Sequence, residues 1–359
     1  MLIAAAAAIP ASAAETPIKV PDQIKAFCID FNWGPGGTNG FAGPGVWADA
    51  DPREHISWYE GLGCNVVQTF AVSCNGFAWY KGGVVPEQPG LKHDFLPEMV
   101  KLGHARKMLV MGYFCVGANT RWAALHPHLS HGSPSGIHVP LTTDYLDYLC
   151  ASIDDALIKT GMDGFMIDWL WSPDPGDCLV CERKMYRELL GEPFPGTSKI
   201  TEQIKLEFAR RAVDRAWRRI CETAKRAKPG CIIWVSCSDV GSPVVANSTM
   251  LREVDWLMNE ATDPAQLDRI KAMTGPATRL IQCVVGWGDL HDARRIAPES
   301  RKAGIGVYGF APPGANSLPR PIADYKSSPI DSFTGNDRNI AALARFYNGL
   351  PLGDQPASQ

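Results

Sequence analysis

The sequence has almost no excess charge of either sign and, beyond its first residues, no long apolar run. Its 359 residues include 35 lysines and arginines against 38 aspartates and glutamates, a formal net charge of -3. Nucleic acids and anionic membranes select proteins with a basic face, so neither is predicted as a main partner. A bilayer span needs about 20 consecutive apolar residues, and we expect no membrane span in the mature chain.

Motifs for metals and dinucleotides are also missing. Cys178 and Cys181 form one CxxC pair, but no second pair accompanies it, and a structural zinc site needs four ligands. His126, His128 and His131 have no acidic or cysteine residue nearby in sequence, so we interpret them as part of a solvated loop. No GxGxxG follows the first apolar run. We therefore predict no metal and no cofactor, and a disulfide or two loop thiols at the CxxC pair.

The first fifteen residues, MLIAAAAAIPASAAE, are apolar and contain the small-x-small pattern that signal peptidases accept. The positively charged start of an ordinary signal peptide is absent. We interpret residues 1–14 as a signal peptide or its remnant and predict export to the periplasm or the extracellular space. The alternative is an alanine-rich N-terminus of a cytosolic protein. The eleven cysteines are in tension with export, because most lie in apolar runs typical of buried thiols.

Short apolar runs alternate with stretches of helical periodicity along the chain. The runs span residues 26–33, 65–72, 108–116, 164–171, 231–238, 256–260, 279–287 and 306–311. The helical stretches span residues 52–62, 95–106, 143–160, 200–228, 248–254, 264–273, 290–303 and 338–347. A doubly wound sheet would alternate as well, but eight strands is the number that closes a barrel. We predict an α/β fold, a (β/α)8 TIM barrel forming one catalytic domain over residues 20–350.

Carboxylates end several of these predicted strands, where TIM barrels carry their chemistry. Asp168 follows a buried run and is the candidate nucleophile; the alternative is a structural cap of the next loop. Glu260 ends the sixth run and is the candidate acid/base, against the alternative of a salt bridge at the rim. Asp239 competes with Glu260 for that role. Two carboxylates whose pKa values differ are what hydrolysis of a glycosidic bond needs.

Polar and aromatic residues at the same predicted strand ends and loops are candidates for substrate binding. Tryptophan rings stack on the apolar faces of sugars, and Asp30 is suited to accept a sugar hydroxyl group. For each ring taken singly, core packing is the alternative. The predicted substrate-binding residues are Asp30, Asn32, Trp33, Gln68, Asn75, Trp79, Tyr113, Trp169, Trp171, Asp239, Asn259 and Trp287.

Under half of the chain resembles the glycoside hydrolase family 29 α-L-fucosidases. The similar segments are 62–70 (LGCNVVQTF), 75–79 (NGFAW), 93–100 (HDFLPEMV), 110–114 (VMGYF) and 164–169 (GFMIDW). The resemblance implies the barrel, Asp168 as nucleophile, and a retaining mechanism through a covalent glycosyl-enzyme. Ser73 and Cys74 stand where that family has two fucose-binding histidines, and Asn75 stands where it has an aspartate. Related barrels that act on α-galactosides place the acid on strand six, as Glu260 would be here.

Together these patterns predict a retaining glycoside hydrolase that cleaves an α-linked glycan, α-L-fucosyl or another deoxy sugar. Its partner is then an oligo- or polysaccharide substrate. Two alternatives remain open at this point. One is a barrel that binds carbohydrate without cleaving it. The other is a hydrolase of another class that uses metal or water activation, although the predicted strand ends offer no histidine to hold a metal.

Overall fold

The structure is a computed structural model that describes residues 19–129, 138–168, 180–237, 240–260, 266–286 and 292–352. The predicted signal segment, residues 1–14, lies outside this described part. The same holds for the predicted site residues Trp169, Trp171, Asp239 and Trp287. Within these ranges no helix is long and apolar enough to cross a membrane.

Eight parallel strands close into a barrel in the order of the sequence, β1 to β8, with β8 paired to β1. The strands are β1 (Lys25–Ile29), β2 (Val66–Gln68), β3 (Leu109–Cys115), β4 (Gly164–Asp168), β5 (Ile232–Cys237), β6 (Trp256–Asn259), β7 (Arg279–Val285) and β8 (Gly306–Ala311). Each strand falls within a predicted run, apart from one residue at the start of β1. The predicted (β/α)8 fold is therefore confirmed.

Helices surround the barrel and cover its outer face. They are α1 (Pro52–Leu62), α2 (Phe95–Ala105), α3 (Thr120–Leu125), α4 (Tyr145–Thr160), α5 (Val180–Leu190), α6 (Glu202–Ala227), α7 (Thr249–Glu253), α8 (Leu267–Met273), α9 (Ala293–Lys302), α10 (Ile322–Ser327) and α11 (Asn336–Tyr347). Helices α3, α5 and α10 were not predicted. Two of the three have only six residues, too short for the apolar periodicity to be visible.

Capping residues explain where the first helix begins and ends. The Asp51 side chain accepts a hydrogen bond from the backbone N–H of Arg53, and Pro52 occupies the first helical position. Gly63 ends the helix at φ 91°, a left-handed conformation that glycine adopts without strain. This sharp end turns the chain into β2 within three residues, so the sequence alone locates both elements.

Contacts across the barrel identify the side chains that point inward. The Tyr308 hydroxyl on β8 donates a hydrogen bond of 2.5 Å to Oε1 of Gln68 on β2. The ring of Trp234 on β5 lies 5.3 Å from the Tyr308 ring. These side chains are buried and fill the barrel axis. The interior is therefore a packed core, as expected for a barrel of eight strands.

The strand register extends this assignment to the ends of the strands. In-register residues on neighbouring parallel strands point to the same side, and successive residues alternate. Cys28 pairs with the inward-facing Gln68, and Met166 pairs with the inward-facing Trp234. Ser236 follows Trp234 by two positions and therefore faces inward, as does its partner Met258. Two positions further along, the same alternation brings Asp30, Asp168 and Glu260 to the carboxyl end of the barrel. The backbone N–H groups of Asp30 and Glu260 still donate to neighbouring strands, so both continue the ladder.

Candidate active site

Asp168 ends β4 and is held by a tyrosine from the preceding strand. Its register partner on β3 is Cys115, and the hydroxyl of Tyr113, two residues before Cys115, donates a hydrogen bond of 2.9 Å to Asp168 Oδ2. Burial, and then the charge of Asp168, raise the pKa of Tyr113 well above its usual range. The phenol therefore stays protonated at neutral pH and remains a donor to the carboxylate.

Asp30 follows β1 and accepts two hydrogen bonds from its own loop. The backbone N–H of Asn32 donates to Oδ1 at 2.9 Å, and the indole Nε1 of Trp33 donates to Oδ2 at 3.0 Å. Burial raises the pKa of Asp30 to about 7, these two hydrogen bonds oppose the rise, and the charge of Glu260 adds to it. Asp30 therefore changes its charge close to neutral pH.

Glu260 follows β6 and is bound by a serine from the neighbouring strand. The Ser236 hydroxyl on β5 donates a hydrogen bond of 3.0 Å to Glu260 Oε2. Ser236 is buried, whereas Glu260 is partly exposed. Within the described part of the chain, Glu260 forms no salt bridge at the rim of the barrel. A carboxyl group held in one orientation but open to the mouth of the barrel suits proton transfer to a bound ligand.

The charges of the site act on one another through a shared set of buried groups. Asp30 and Asp168 both raise the pKa values of the Cys28, Cys74, Tyr113 and Tyr308 side chains, each of them in addition to burial. The Glu260 charge in turn acts on Asp30 and on Cys283. The structure therefore brings together three strand-end carboxylates that the sequence placed 138 and 92 positions apart (30 to 168 and 168 to 260).

Two predicted substrate-binding residues next to Asp30 have different surroundings. Trp33 is partly exposed, and besides donating to Asp30 it packs its ring against Phe41 at 5.1 Å. Asn32 is buried, and its side-chain oxygen accepts a hydrogen bond of 2.8 Å from the backbone N–H of Cys74. Trp33 thus presents part of its surface at the mouth, whereas Asn32 joins the loops that follow β1 and β2.

Trp79 and Asn75 lie in the loop after β2, beneath the surface of the mouth. The fully buried Trp79 ring stacks on Phe31 with centroids 4.1 Å apart, and its Nε1 donates to Ser73 Oγ at 2.7 Å. Asn75 is buried as well and exchanges two side-chain hydrogen bonds with Gln88, of 3.3 and 3.1 Å. In this structure both side chains support the loop and have no free surface to offer a sugar.

Gln68 and Asn259 also lie away from the mouth. Gln68 is fully buried on the barrel axis, bonded to Tyr308. Asn259 is in register with Gln282, and the alternation of β6 turns it to the side opposite Met258 and Glu260, toward the surrounding helices. Gln68 points inward but lies too deep to reach the mouth, whereas Asn259 lies on the outer face of its strand; an apolar run alone reveals neither the depth nor the face of a side chain.

Ser236 and the cysteines Cys74 and Cys115 belong to the site but were not among the predicted site residues. The signal for Ser236 is its place near the end of the fifth apolar run, three residues before Asp239. The cysteines gave no signal, because a buried cysteine reads as a small apolar residue. Among the described residues, no three histidine, cysteine or acidic side chains are grouped to hold a metal ion.

Comparison with protein families gives one match. Residues 51–169, from the start of α1 to the residue after Asp168, match the family described as hypothetical glycosyl hydrolase 6. The matched region includes Tyr113 and Asp168 but neither Asp30 nor Glu260. No curated protein matches the chain in sequence.

Solved structures with a similar fold include α-L-fucosidases and an amylase. α-L-Fucosidase isoenzyme 2 from Paenibacillus thiaminolyticus aligns with a TM-score of 0.66 at 15% identity, over 91% of this chain and 49% of that one. The present chain thus spans about half of that enzyme. α-L-Fucosidase AlfC from Lactobacillus casei, in complex with α-L-fucose, aligns at 0.51 and 10% identity, over 91% and 97% of the two chains.

The amylase is described as a noncanonic maltogenic α-amylase, AmyB from Thermotoga neapolitana. It aligns with a TM-score of 0.50 at 12% identity, over 91% of this chain and 77% of that one. At these identities the likeness concerns the fold. The chain has a glycoside-hydrolase-like barrel, and its similarity in residues 51–169 to a glycosyl hydrolase family supports membership of that broad class of enzymes. The expected distant likeness to the family 29 α-L-fucosidases is confirmed at this level.

Proposed function

We propose that the protein is a retaining glycoside hydrolase that cleaves an α-linked glycan, with Asp168 as nucleophile and Glu260 as acid/base. The observation that carries the proposal is the convergence of inward-facing carboxylates at the carboxyl end of the barrel, each bonded by a neutral donor. Tyr113 donates to Asp168 and Ser236 donates to Glu260. Both donors are uncharged hydroxyl groups, so these two contacts orient the carboxylates without neutralising them.

In the first step, an Asp168 oxygen attacks the anomeric carbon while Glu260 gives its proton to the departing glycosidic oxygen. The bond from Tyr113 to Oδ2 orients the Asp168 side chain. The result is a covalent glycosyl-enzyme ester and a free alcohol.

In the second step, Glu260 removes a proton from water, and the water oxygen attacks the same anomeric carbon. The Asp168 carboxylate leaves, so the sugar is released with its original configuration. The bond from Ser236 to Oε2 holds the Glu260 carboxyl group while its other oxygen gives and takes the proton.

Asp30 and Trp33 are the proposed contacts to the sugar itself. The carboxyl group of Asp30 is partly ionised at neutral pH and is able to accept a hydrogen bond from a sugar hydroxyl group. Trp33 is partly exposed, and its ring is suited to stack on a sugar. Asp239, Trp169, Trp171 and Trp287 keep their predicted roles, and Asp239 stays the competitor of Glu260.

The sugar class rests on the likeness to α-L-fucosidases, with one difference at the second strand. Ser73 and Cys74 replace the pair of histidines that the resemblance would place there. Ser73 Oγ accepts from Trp79, and Cys74 Sγ lies 3.9 Å from the Tyr113 hydroxyl, so both serve the protein's own packing. A fucoside is therefore tested together with other α-glycosides.

The test is hydrolysis of aryl α-L-fucoside, α-D-galactoside, α-L-rhamnoside and α-D-glucoside by the wild type and by Asp168→Asn. The substitution keeps the shape of the side chain and removes the nucleophile. We expect one or more glycosides to be cleaved and the variant to lose at least about 1,000-fold in kcat. Glu222→Gln is the matched control, since Glu222 is an exposed carboxylate near the C-terminal end of α6, one turn before Lys225, which binds Asp255 ahead of β6 at the opposite end of the barrel.

The mechanism has its own measurement. NMR of the first-formed sugar reports its anomeric configuration, and a slow 2-fluoro glycoside should leave a sugar-sized mass on the peptide containing Asp168. Inversion of configuration would exclude the retaining mechanism. If no aryl glycoside is cleaved, a polymeric α-glycan panel follows, and binding without cleavage there would favour a non-catalytic carbohydrate-binding barrel.

A further inference from the structure

Trp47 has a backbone conformation that residues other than glycine rarely adopt. It lies in the loop between β1 and α1, at the carboxyl end of the barrel, and its φ is 66°, in the left-handed region. A bulky side chain makes this conformation strained, and such strain persists only where the surrounding contacts outweigh it. The contacts of Trp47 therefore indicate what its position serves.

The indole group of Trp47 binds the backbone of Trp33. Its Nε1 donates a hydrogen bond of 3.0 Å to the carbonyl oxygen of Trp33. Trp33 in turn donates from its own Nε1 to Asp30 Oδ2 at 3.0 Å. The two indole groups thus form a chain of hydrogen bonds that begins in the loop and ends on the Asp30 carboxyl group.

Close packing against a glycine keeps the Trp47 indole in this place. A methyl group added to Gly34 would lie 3.0 Å from Trp47 Nε1 and 3.2 Å from Ala42 Cβ. Both distances are shorter than an ordinary van der Waals contact, so the neighbours would have to move. The lack of a side chain at Gly34 therefore lets the indole approach the carbonyl group of Trp33.

The segment around Trp47 is fixed to the loop that follows β2. The N–H of Gly45 donates to Gln88 Oε1 at 3.1 Å, and the N–H of Lys92 donates to the carbonyl oxygen of Ala48 at 2.9 Å. These bonds hold the chain on both sides of Trp47. Trp47 thus belongs to an anchored part of the loop and is able to hold Trp33.

We propose that Trp47 is a positioning residue of the candidate active site, which holds Trp33 so that the Trp33 indole stays bonded to Asp30. The inference rests on the proposed function, in which Asp30 and Trp33 contact the sugar. Trp47 acts through Trp33 and takes no part in the chemistry. Its strained backbone is then the cost of an indole that reaches back to the Trp33 carbonyl group.

The charge state of Asp30 reports on this arrangement. Burial raises the pKa of Asp30, whereas the hydrogen bonds from Asn32 and Trp33 lower it. Loss of the Trp33 bond should therefore make Asp30 a weaker acid. The other titratable groups that interact with the Asp30 charge are Glu260, Cys28, Tyr59, Cys74, Tyr113 and Tyr308.

The experiment measures the pKa of Asp30 in the full-length protein by carbon-13 NMR of the aspartate carboxyl groups, with Asp30→Asn to identify the signal. Trp33→Phe keeps an aromatic ring but removes the donor, so Asp30 should become an acid about tenfold weaker. Trp47→Phe should weaken it in the same direction, by about two- to fivefold. In the double variant, the Trp47 substitution should add nothing, because no Trp33 donor is left to position.

Two further variants complete the test. Gly34→Ala adds a methyl group against Trp47 Nε1 and should weaken the acid as Trp47→Phe does, which keeps the proposal testable if Trp47→Phe fails to fold. Trp217→Phe is the matched control. It removes an indole on α6 that donates to Glu253 Oε2 at 3.0 Å, and it should leave the pKa of Asp30 unchanged.

The proposal is overturned if Trp47→Phe and Gly34→Ala fold but do not raise the pKa of Asp30. It is also overturned if Trp47→Phe has the same effect with and without Trp33. The titration needs no substrate, so the absence of cleavage would contradict the proposed function and leave this result standing. On a glycoside that is cleaved, Trp47→Phe should raise KM with little change in kcat, and an unchanged KM would contradict a role in holding the sugar.

Discussion

The hydroxyl of Tyr113 on β3 donates a hydrogen bond of 2.9 Å to Oδ2 of Asp168 on β4. The two residues lie 55 positions apart in sequence but two register positions apart in the barrel, because Asp168 pairs with Cys115. The bond joins a phenol that burial keeps protonated to the carboxylate that would attack the sugar.

Replacing Tyr113 by Phe removes the donor and keeps the ring. Hydrogen bonds to charged groups contribute about 1.5–3 kcal/mol, so we expect kcat to fall about 10- to 100-fold with little change in KM. Steady-state kinetics on the glycoside found in the panel measures this. Tyr186→Phe, in the separate cluster between α5 and α6, is the control and should keep full activity. An unchanged kcat in Tyr113→Phe would show that the bond does not orient the reacting carboxylate.

Glu260→Gln should separate the acid/base from the nucleophile. The variant cannot give a proton, so we expect a large loss of kcat/KM for sugars with a poor leaving group. A dinitrophenyl glycoside, whose leaving group needs no proton, should lose far less in the first step. Asp168→Asn serves as the comparison, since losing the nucleophile affects both substrates alike. Equal losses in Glu260→Gln would transfer the role to Asp239.

Asp30 makes stability depend on pH. Its pKa in the folded state is about 7, above the ordinary value of 3.8, so the folded protein binds more protons than the unfolded chain between those limits. The contribution of Asp30 to the free energy of unfolding therefore falls as the pH rises from about 4 to about 7, and it is constant above about pH 7. Asp30→Asn, which never ionises, should be more stable than the wild type at pH 8, by at most about 4 kcal/mol.

Thermal melts at pH 4.5 and pH 8 measure the effect of Asp30→Asn. The difference in Tm between variant and wild type should be larger at pH 8. Asp49→Asn changes an exposed carboxyl group and should show no such dependence. A variant that is less stable than the wild type at both pH values would mean that the two hydrogen bonds at Asp30 outweigh its burial.

Much of this architecture follows from the sequence, and the reason is local. Apolar runs preceded by a helix-ending glycine such as Gly63 determine strands and helices within a few residues of each other. Asp30, Asp168 and Glu260 are predicted because each lies at the end of an apolar run, whereas their common inward direction follows from the strand register. The sequence does not reveal how deeply a side chain in a loop is buried. Trp79 is an aromatic residue beyond a strand, as Trp33 is, yet Phe31 covers it.

Trp33 and Trp79 therefore give a matched pair of substitutions with opposite consequences. Trp79→Ala removes a fully buried ring and its bond to Ser73, and we expect a loss of about 3–5 kcal/mol in the free energy of unfolding. Trp33→Ala removes a partly exposed ring, so its stability cost should be smaller and its effect on KM larger. Urea unfolding and substrate kinetics on both variants check this. If Trp79→Ala unfolded at the same urea concentration as the wild type, this result would contradict the buried packing of the ring.

A buried hydrogen bond between His55 and Ser317 should make stability depend on pH. His55 Nε2 on α1 shares a hydrogen bond of 3.0 Å with Ser317 Oγ, in the loop after β8, and both residues are buried. Burial lowers the pKa of His55 to about 3, against a small opposing effect of Asp51. Ser317 and its neighbour Asn316 have φ of 62° and 55°, left-handed conformations that strain residues other than glycine.

The sign of the pH effect is opposite to that of Asp30. Because the folded-state pKa of His55 lies below the ordinary value of 6.5, the unfolded chain binds the extra proton. The stability due to neutral His55 is present above pH 6.5 and is lost as the pH falls toward 3. Ser317→Ala should cost about 1–3 kcal/mol at pH 8, since it leaves a buried ring nitrogen without its partner. Asn316→Gly, which only relieves strain, should raise Tm. If Ser317→Ala and the wild type have the same Tm, the contact with His55 does not hold the loop after β8 in place.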